Sequence, residues 1–111
     1  MKTITYDELK KLKNNNEKFT LINVLSKGDF ERANILGSIN IPNEQPDFVQ
    51  AVEKAAGDKT AKIVTYCASF DCQASKNAAS KLDAAGFTNV FAYEGGIKEW
   101  QEKTGASKAA A

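Results

Sequence analysis

The sequence predicts an α/β domain: a mostly parallel sheet of four or five strands with helices on both faces. Two observations carry that expectation. Short apolar, partly β-branched runs alternate with stretches whose apolar residues recur at helical spacing, and one of those runs ends directly at a cysteine, Cys67. Parallel strands joined through helices require right-handed crossovers, and ligand sites in such sheets lie beyond the carboxyl ends of the strands, where Cys67 falls.

The elements follow in order. Thr5-Tyr6-Asp7-Glu8 has the form of a capping box, and Leu9 and Leu12 supply an apolar stripe for a first helix that ends in the Asn14-Asn15-Asn16 turn. Phe19 to Leu25 reads as a buried strand, broken by Ser26 to Gly28. A short helix is expected over Asp29 to Asn34, then a turn at Gly37 and a brief strand over Ser38 to Ile41, terminated by Pro42. From Asp47, residues Phe48, Val49, Val52, Ala55 and Ala56 recur at helical spacing, and Gly57 suits a left-handed C-terminal cap. Lys62 to Tyr66 is the next buried strand, followed by Cys67 and a loop over Ala68 to Cys72. Ala74, Ala78, Leu82 and Ala85 keep a helical period up to Gly86, and Asn89 to Tyr93 form a last strand. Gly95-Gly96 then make a turn that can border the Cys67 pocket, ahead of a terminal helix bearing Ile97 and Trp100. Residues 1–105 are expected to be the single folded domain, with 106–111 a frayed tail.

Composition narrows the function. With 111 residues, 42% of them hydrophobic, there is material for one core. Fifteen basic residues are balanced by fourteen acidic ones and interspersed with them, which argues against nucleic acid or an anionic membrane as partner. The first residues lack the apolar stretch of a signal peptide, so a cytoplasmic protein is expected, in which two cysteines serve catalysis or redox chemistry better than structure. There is no histidine, which excludes Cys-His and Ser-His pairs and argues against a metal site. No cofactor is implied.

A loop that leaves a strand and enters a helix can turn its amides inward and form, with the helix N-terminus, an anion-binding nest. Cys67 on its floor would be favoured as thiolate and able to carry a persulfide. It could equally be a small apolar residue completing a buried strand. Position alone leaves both readings open.

Longer motifs point further. Val64-Thr65-Tyr66-Cys67 leading into Ala74-Ser75-Lys76-Asn77-Ala78-Ala79 resembles the active-site strand, loop and alanine-rich helix of rhodanese-like domains. Leu21-Ile22-Asn23-Val24 with Ile35 to Pro42 resembles the first signature of that family. Gly86-Phe87-Thr88-Asn89-Val90 with Gly95 to Trp100 resembles its closing signature. The likeness runs from Ile4 to Trp100. It implies that Cys67 accepts sulfane sulfur from a donor and passes it to a thiol acceptor, so the expected partners are small sulfur donors and thiol acceptors, a protein thiol included.

Several positions depart from the family pattern. Asn23, Leu25 and Asn34 stand where aspartate, arginine and histidine are common, changes expected to bear on structure more than chemistry. The usual glycine and arginine positions of the loop hold Phe70 and Cys72, and the loop contains Asp71 but no Lys or Arg. A dianionic donor such as thiosulfate lacks a bidentate clamp there, so a persulfide or polysulfide donor is favoured. The Cys-x5-Arg chemistry of related phosphatases is disfavoured because Gln73 occupies the arginine place.

The candidate site therefore comprises Cys67 as nucleophile, Cys72 as resolving thiol, and Ala68, Ser69, Phe70, Asp71 and Gln73 as the substrate-binding loop. Cys72 also has a bland reading as an incidental small residue near a helix start. Phe70 either walls the pocket or packs away from it, and Phe87 and Trp100 are read as core residues. Beside sulfur transfer stand two other readings: a dithiol redox protein cycling a Cys67-Cys72 disulfide, and a non-catalytic interaction module.

Overall fold

Ile63–Tyr66 is buried at every position, as only an interior strand covered on both faces can be. In a computed structural model, which describes residues 2–104, this is β4 of a five-stranded sheet. The others are β1 (Lys2–Ile4), β2 (Thr20–Asn23), β3 (Ile39–Asn40) and β5 (Val90–Tyr93), in the order β1-β5-β4-β2-β3 and parallel at every pairing. The expected tail over 106–111 lies outside the described residues. Among the described residues no helix is long and apolar enough to cross a membrane.

The helices cover both faces, as the alternation of elements predicts. On one face the core joins Ile22, Ile63 and Ala92 of the sheet to Phe48 and Val52 of α3 (Phe48–Ala56) and to Ala78, Ala79 and Leu82 of α4 (Ala74–Ala84). On the other, Val64, Tyr66 and Tyr93 meet Tyr6, Leu9 and Leu12 of α1 (Tyr6–Asn14) and Ile97 and Trp100 of α5 (Gly96–Thr104). Trp100 packs its ring 5.3 Å from that of Tyr6 and 6.5 Å from that of Tyr93, within the range of favourable aromatic pairs. Phe87 and Trp100 are both buried, as read from the sequence.

Local signals explain most boundaries. In α1 the capping box forms in both directions, with Glu8 N–H donating to Thr5 Oγ1 at 3.2 Å and Thr5 N–H to Glu8 Oε1 at 2.9 Å. Those bonds with Thr5, the backbone one first, hold the Glu8 carboxyl below its usual range. Gly57 closes α3 at φ 99°, a conformation that disfavours any side chain. The helix expected over Asp29 to Asn34 instead occupies α2 (Lys27–Arg32), because Ser26 Oγ caps it by accepting from Asp29 N–H at 3.3 Å. The strand at Lys2–Ile4 was not among those read from the sequence. Three residues are too few for a periodic signal, and they form a strand by pairing with Phe91, Ala92 and Tyr93.

Two contacts fix the carboxyl end of β4. Tyr66 Oη, fully buried, accepts from Ile35 N–H at 3.0 Å and lies 2.7 Å from Ser38 Oγ, whose own hydrogen goes to Ile35 O at 2.7 Å. Burial pushes the Tyr66 pKa up, so the hydroxyl keeps its proton and can donate to Ser38. Beyond it, the first turn of α5 lies against the chain leaving β4: Ile97 N–H donates to Cys67 O at 3.0 Å and Lys98 N–H to Ala68 O at 2.9 Å. The approach requires glycine. Gly96 sits at φ 63°, and a Cβ there would overlap Cys67 O and stand 2.8 Å from Ser69 N.

Two substitutions test these anchors by denaturant unfolding. Tyr66→Phe strands the buried Ile35 amide and is expected to cost about 1–3 kcal/mol; an unchanged midpoint would show that the hydroxyl is dispensable. Gly96→Ala combines a left-handed backbone with a clash against backbone, so a loss of at least about 2 kcal/mol is expected. Gly57→Ala is the control, having the same sign of φ but nothing within 4 Å of the added carbon. If the two alanine variants lose equal stability, the close approach at Gly96 contributes nothing.

Candidate functional site

Along β4 side chains alternate between the two cores: Ile63 faces α3 and α4, Val64 and Tyr66 face α1 and α5, and Cys67, next in line, returns to the α3/α4 side. Cys67 is 0% exposed. Its carbonyl is held by α5, and α4 is tied back to the strand by Thr65 Oγ1, which donates to Ser75 O at 2.9 Å. The loop between β4 and α4 is thus anchored at both ends.

Within that loop Cys72 N–H donates to Ser69 O at 3.0 Å, closing a tight turn that carries the Cys72 side chain back to Cys67. The two residues form a disulfide, with Cα atoms 6.4 Å apart, inside the span a disulfide bridges without backbone movement. The convergence of the two sulfurs, which spacing alone left open, is a feature of the folded chain. Cys72 is half-buried where Cys67 is wholly buried.

In this closed loop the Cys67 sulfur meets a carbonyl. The Cys72 amide is taken by Ser69, and the Cys72 carbonyl oxygen lies 3.5 Å from Cys67 Sγ, so the sulfur faces an acceptor where donors were predicted. A carbonyl there suits S–H or a neutral disulfide better than an anion.

The remaining loop residues face outward. Phe70 is 60% exposed, so it does not pack into the core. It stands between two grooves of about 430 Å³ and 330 Å³. The larger is bounded by Tyr6, Asp7, Glu94 and Glu99, and the smaller by Ser69, Asp71, Lys98 and Glu102. Cys67, Ala68 and Gln73 line neither groove, and Ala68 and Gln73 are exposed. Glu99, which lines the larger groove, accepts at Oε1 from the Oη of buried Tyr93 at 2.8 Å, and burial together with that carboxylate pushes the Tyr93 pKa up, keeping the donor protonated.

Sequence reading passed over one part of the site, the first turn of α5, whose Ile97 and Lys98 amides hold the loop through Gly96. The Gly95-Gly96 doublet was the available signal, but a turn and a close approach look alike in sequence. The departures at Asn23 and Asn34 prove to be local structure. Asn23 Oδ1 accepts from Leu25 N–H at 2.9 Å, and Asn34 Nδ2 donates to Phe30 O at 3.0 Å.

Comparisons with known proteins agree with this architecture. The chain is 33% identical over 108 residues to "Uncharacterized protein YqhL" of Bacillus subtilis (strain 168), a match spanning 97% of this chain and 79% of that one. Its fold matches that of the human single-domain sulfurtransferase TSTD1 with a TM-score of 0.78 at 21% identity, over 93% of this chain and 97% of the other. It also matches a structure described as "rhodanese with anions from E. coli", with a TM-score of 0.63 at 26% identity, over 74% and 91% of the two chains. The rhodanese-like domain model matches residues 5–103, and the chain belongs to that family.

Proposed function

We propose that this protein is a sulfurtransferase in which Cys67 takes up sulfane sulfur as a persulfide and passes it to a thiol acceptor. The observation that carries this reading is the placement of Cys67 at the carboxyl end of β4, opening a loop clamped between α4 and α5 in a rhodanese-like fold. The names of the TSTD1 and E. coli relatives support the reaction class. The donor is a persulfide or polysulfide in preference to thiosulfate, because residues 68–73 offer no guanidinium or ammonium to a dianion and place Asp71 on the exposed rim. Since Cys67 is buried and bonded to Cys72, the form that accepts sulfur is the reduced one, and loading follows reduction.

A second reading, dithiol redox cycling, is favoured by the Cys67-Cys72 disulfide itself. Intact mass of reduced Cys72→Ser separates the two: sulfur transfer adds one sulfur at Cys67, whereas pure redox cycling needs both thiols and adds none.

Reduced Cys72→Ser mixed with glutathione persulfide is expected to gain one sulfur on Cys67. Cys67→Ser should lower that gain by at least about 100-fold while melting at an unchanged temperature, because serine keeps the size without the nucleophile. Equal loading in Cys67→Ser would move the carrier elsewhere. The donor preference has its own check: thiosulfate should load the parent about tenfold more slowly than the persulfide, and Asp71→Arg should narrow that gap, most clearly at low salt. Equal rates from both donors, untouched by Asp71→Arg, would show that loop charge does not select the donor.

A further inference from the structure

Resting on the sulfurtransferase reading above, we propose a second exit for the sulfur: Cys72 expels it from Cys67 as inorganic sulfide, which makes the chain a persulfide reductase whose site is reopened by an external thiol entering at Cys72. Three observations carry the inference. The Cys67 and Cys72 sulfurs bond in the folded structure with Cα atoms 6.4 Å apart, so internal attack needs no rearrangement of the sheet or helices. Residues 68–73 carry no cation to retain a bound persulfide anion, and in the closed loop a carbonyl, that of Cys72, lies 3.5 Å from Cys67 Sγ. Cys72 is also the partly exposed residue of the pair, Cys67 being wholly buried.

The chemistry balances in four displacements. The Cys67 thiolate attacks the outer sulfur of a persulfide RSSH, forming Cys67–S–SH and releasing RS⁻. The Cys72 thiolate then attacks Cys67 Sγ; the Sγ–Sγ bond forms, the bond to the outer sulfur breaks, and the electron pair leaves on HS⁻, which takes a proton from water. The sulfane sulfur is reduced by two electrons and the two cysteine sulfurs are oxidised to the disulfide. A thiolate R′S⁻ next attacks Cys72 Sγ, the accessible end, giving a mixed disulfide on Cys72 and freeing Cys67 as thiolate. A second R′S⁻ attacks the R′ sulfur, releasing R′SSR′ and the Cys72 thiolate. In sum, RSSH and two R′SH give RSH, hydrogen sulfide and R′SSR′. Expulsion of HS⁻ is favoured because a low-pKa thiol leaves readily.

The test is a single turnover with the full chain, reduced and freed of thiol, given one equivalent of glutathione persulfide. Sulfide is trapped with an alkylating fluorophore, and the protein is followed by intact mass and peptide mapping. The parent is expected to release one sulfide per Cys67-Cys72 disulfide formed. Cys72→Ser is expected to gain one sulfur and hold it, releasing sulfide at least about tenfold more slowly. Cys72→Ala repeats the measurement, and the disulfide mapped in the parent reports the step should either variant fold poorly. If the parent keeps its added sulfur as long as Cys72→Ser does, the internal exit is refuted and the transfer reading stands. If Cys72→Ser gains no sulfur while still folded, Cys67 is not the carrier and both readings fall. For the entry order, the oxidised parent is treated with glutathione and quenched with acid. A mixed disulfide mapping to Cys72 supports entry there, and one mapping to Cys67 overturns it.

Discussion

Two backbone bonds, from the Ile97 and Lys98 amides to the carbonyls of Cys67 and Ala68, join the central strand, the loop that follows it and the last helix. The first amides of a helix have no partner within it and must find one outside. Here they find the two carbonyls that leave the sheet at the end of β4, and the exchange satisfies both sets at once. The approach is so close that only a glycine at position 96 permits it. With its carbonyl fixed on the α5 side, Cys67 must direct its side chain to the opposite core, beside Ala78 and Ala79 of α4.

That placement governs the chemistry available to the pair. A thiol buried among apolar groups is unreactive toward bulk solvent, so Cys67 needs a route through the loop. The loop supplies one in Cys72, brought to Cys67 by the turn that Ser69 O and Cys72 N–H close. One sulfur is sealed in the core and the other lies at the boundary, so the proposed exchange of sulfur with external thiols has a direction. The grooves on either side of Phe70 lie outside this pair, and their rims mix charges, with Asp7, Glu94, Glu99, Asp71 and Glu102 beside Lys98 and Lys103.

Features set by neighbouring residues were legible in the sequence. The Thr5-Glu8 capping box, the Gly57 cap and the position of Cys67 between an apolar strand and an alanine-rich helix all depend on spacing within a few residues, which the chain displays directly. Features set by distant residues were not. Lys2–Ile4 becomes a strand only beside β5, and Gly96 is identifiable as a contact only once α5 lies on the loop. The orientation of the Cys72 peptide is of the same kind. Residue types in the loop allowed an amide nest, whereas the folded loop brings the Cys72 carbonyl to 3.5 Å from Cys67 Sγ.

The loop's departures from the family pattern bear on one another. Phe70 in place of glycine gives the turn a bulky, exposed side chain, Asp71 adds negative charge to the rim, and Cys72 replaces the arginine that would clamp an anion. Taken one at a time each looks like a defect in a site for a small dianion. Together they match the needs of thiol exchange, in which no dianion has to be held and the displaced group is itself a sulfur anion that must depart. An arginine beside Cys67 would stabilise a bound persulfide anion and slow its loss, whereas a second thiol at that position would, in the proposed exit, attack it. Without histidine in the chain no side-chain base of ordinary pKa near neutrality attends either sulfur. Thiolate must then arise by equilibrium with solvent, and that favours placing the sulfur that the reopening thiol meets where water reaches it. Cys72, half-buried at the mouth of the loop, meets that condition, and Cys67 does not.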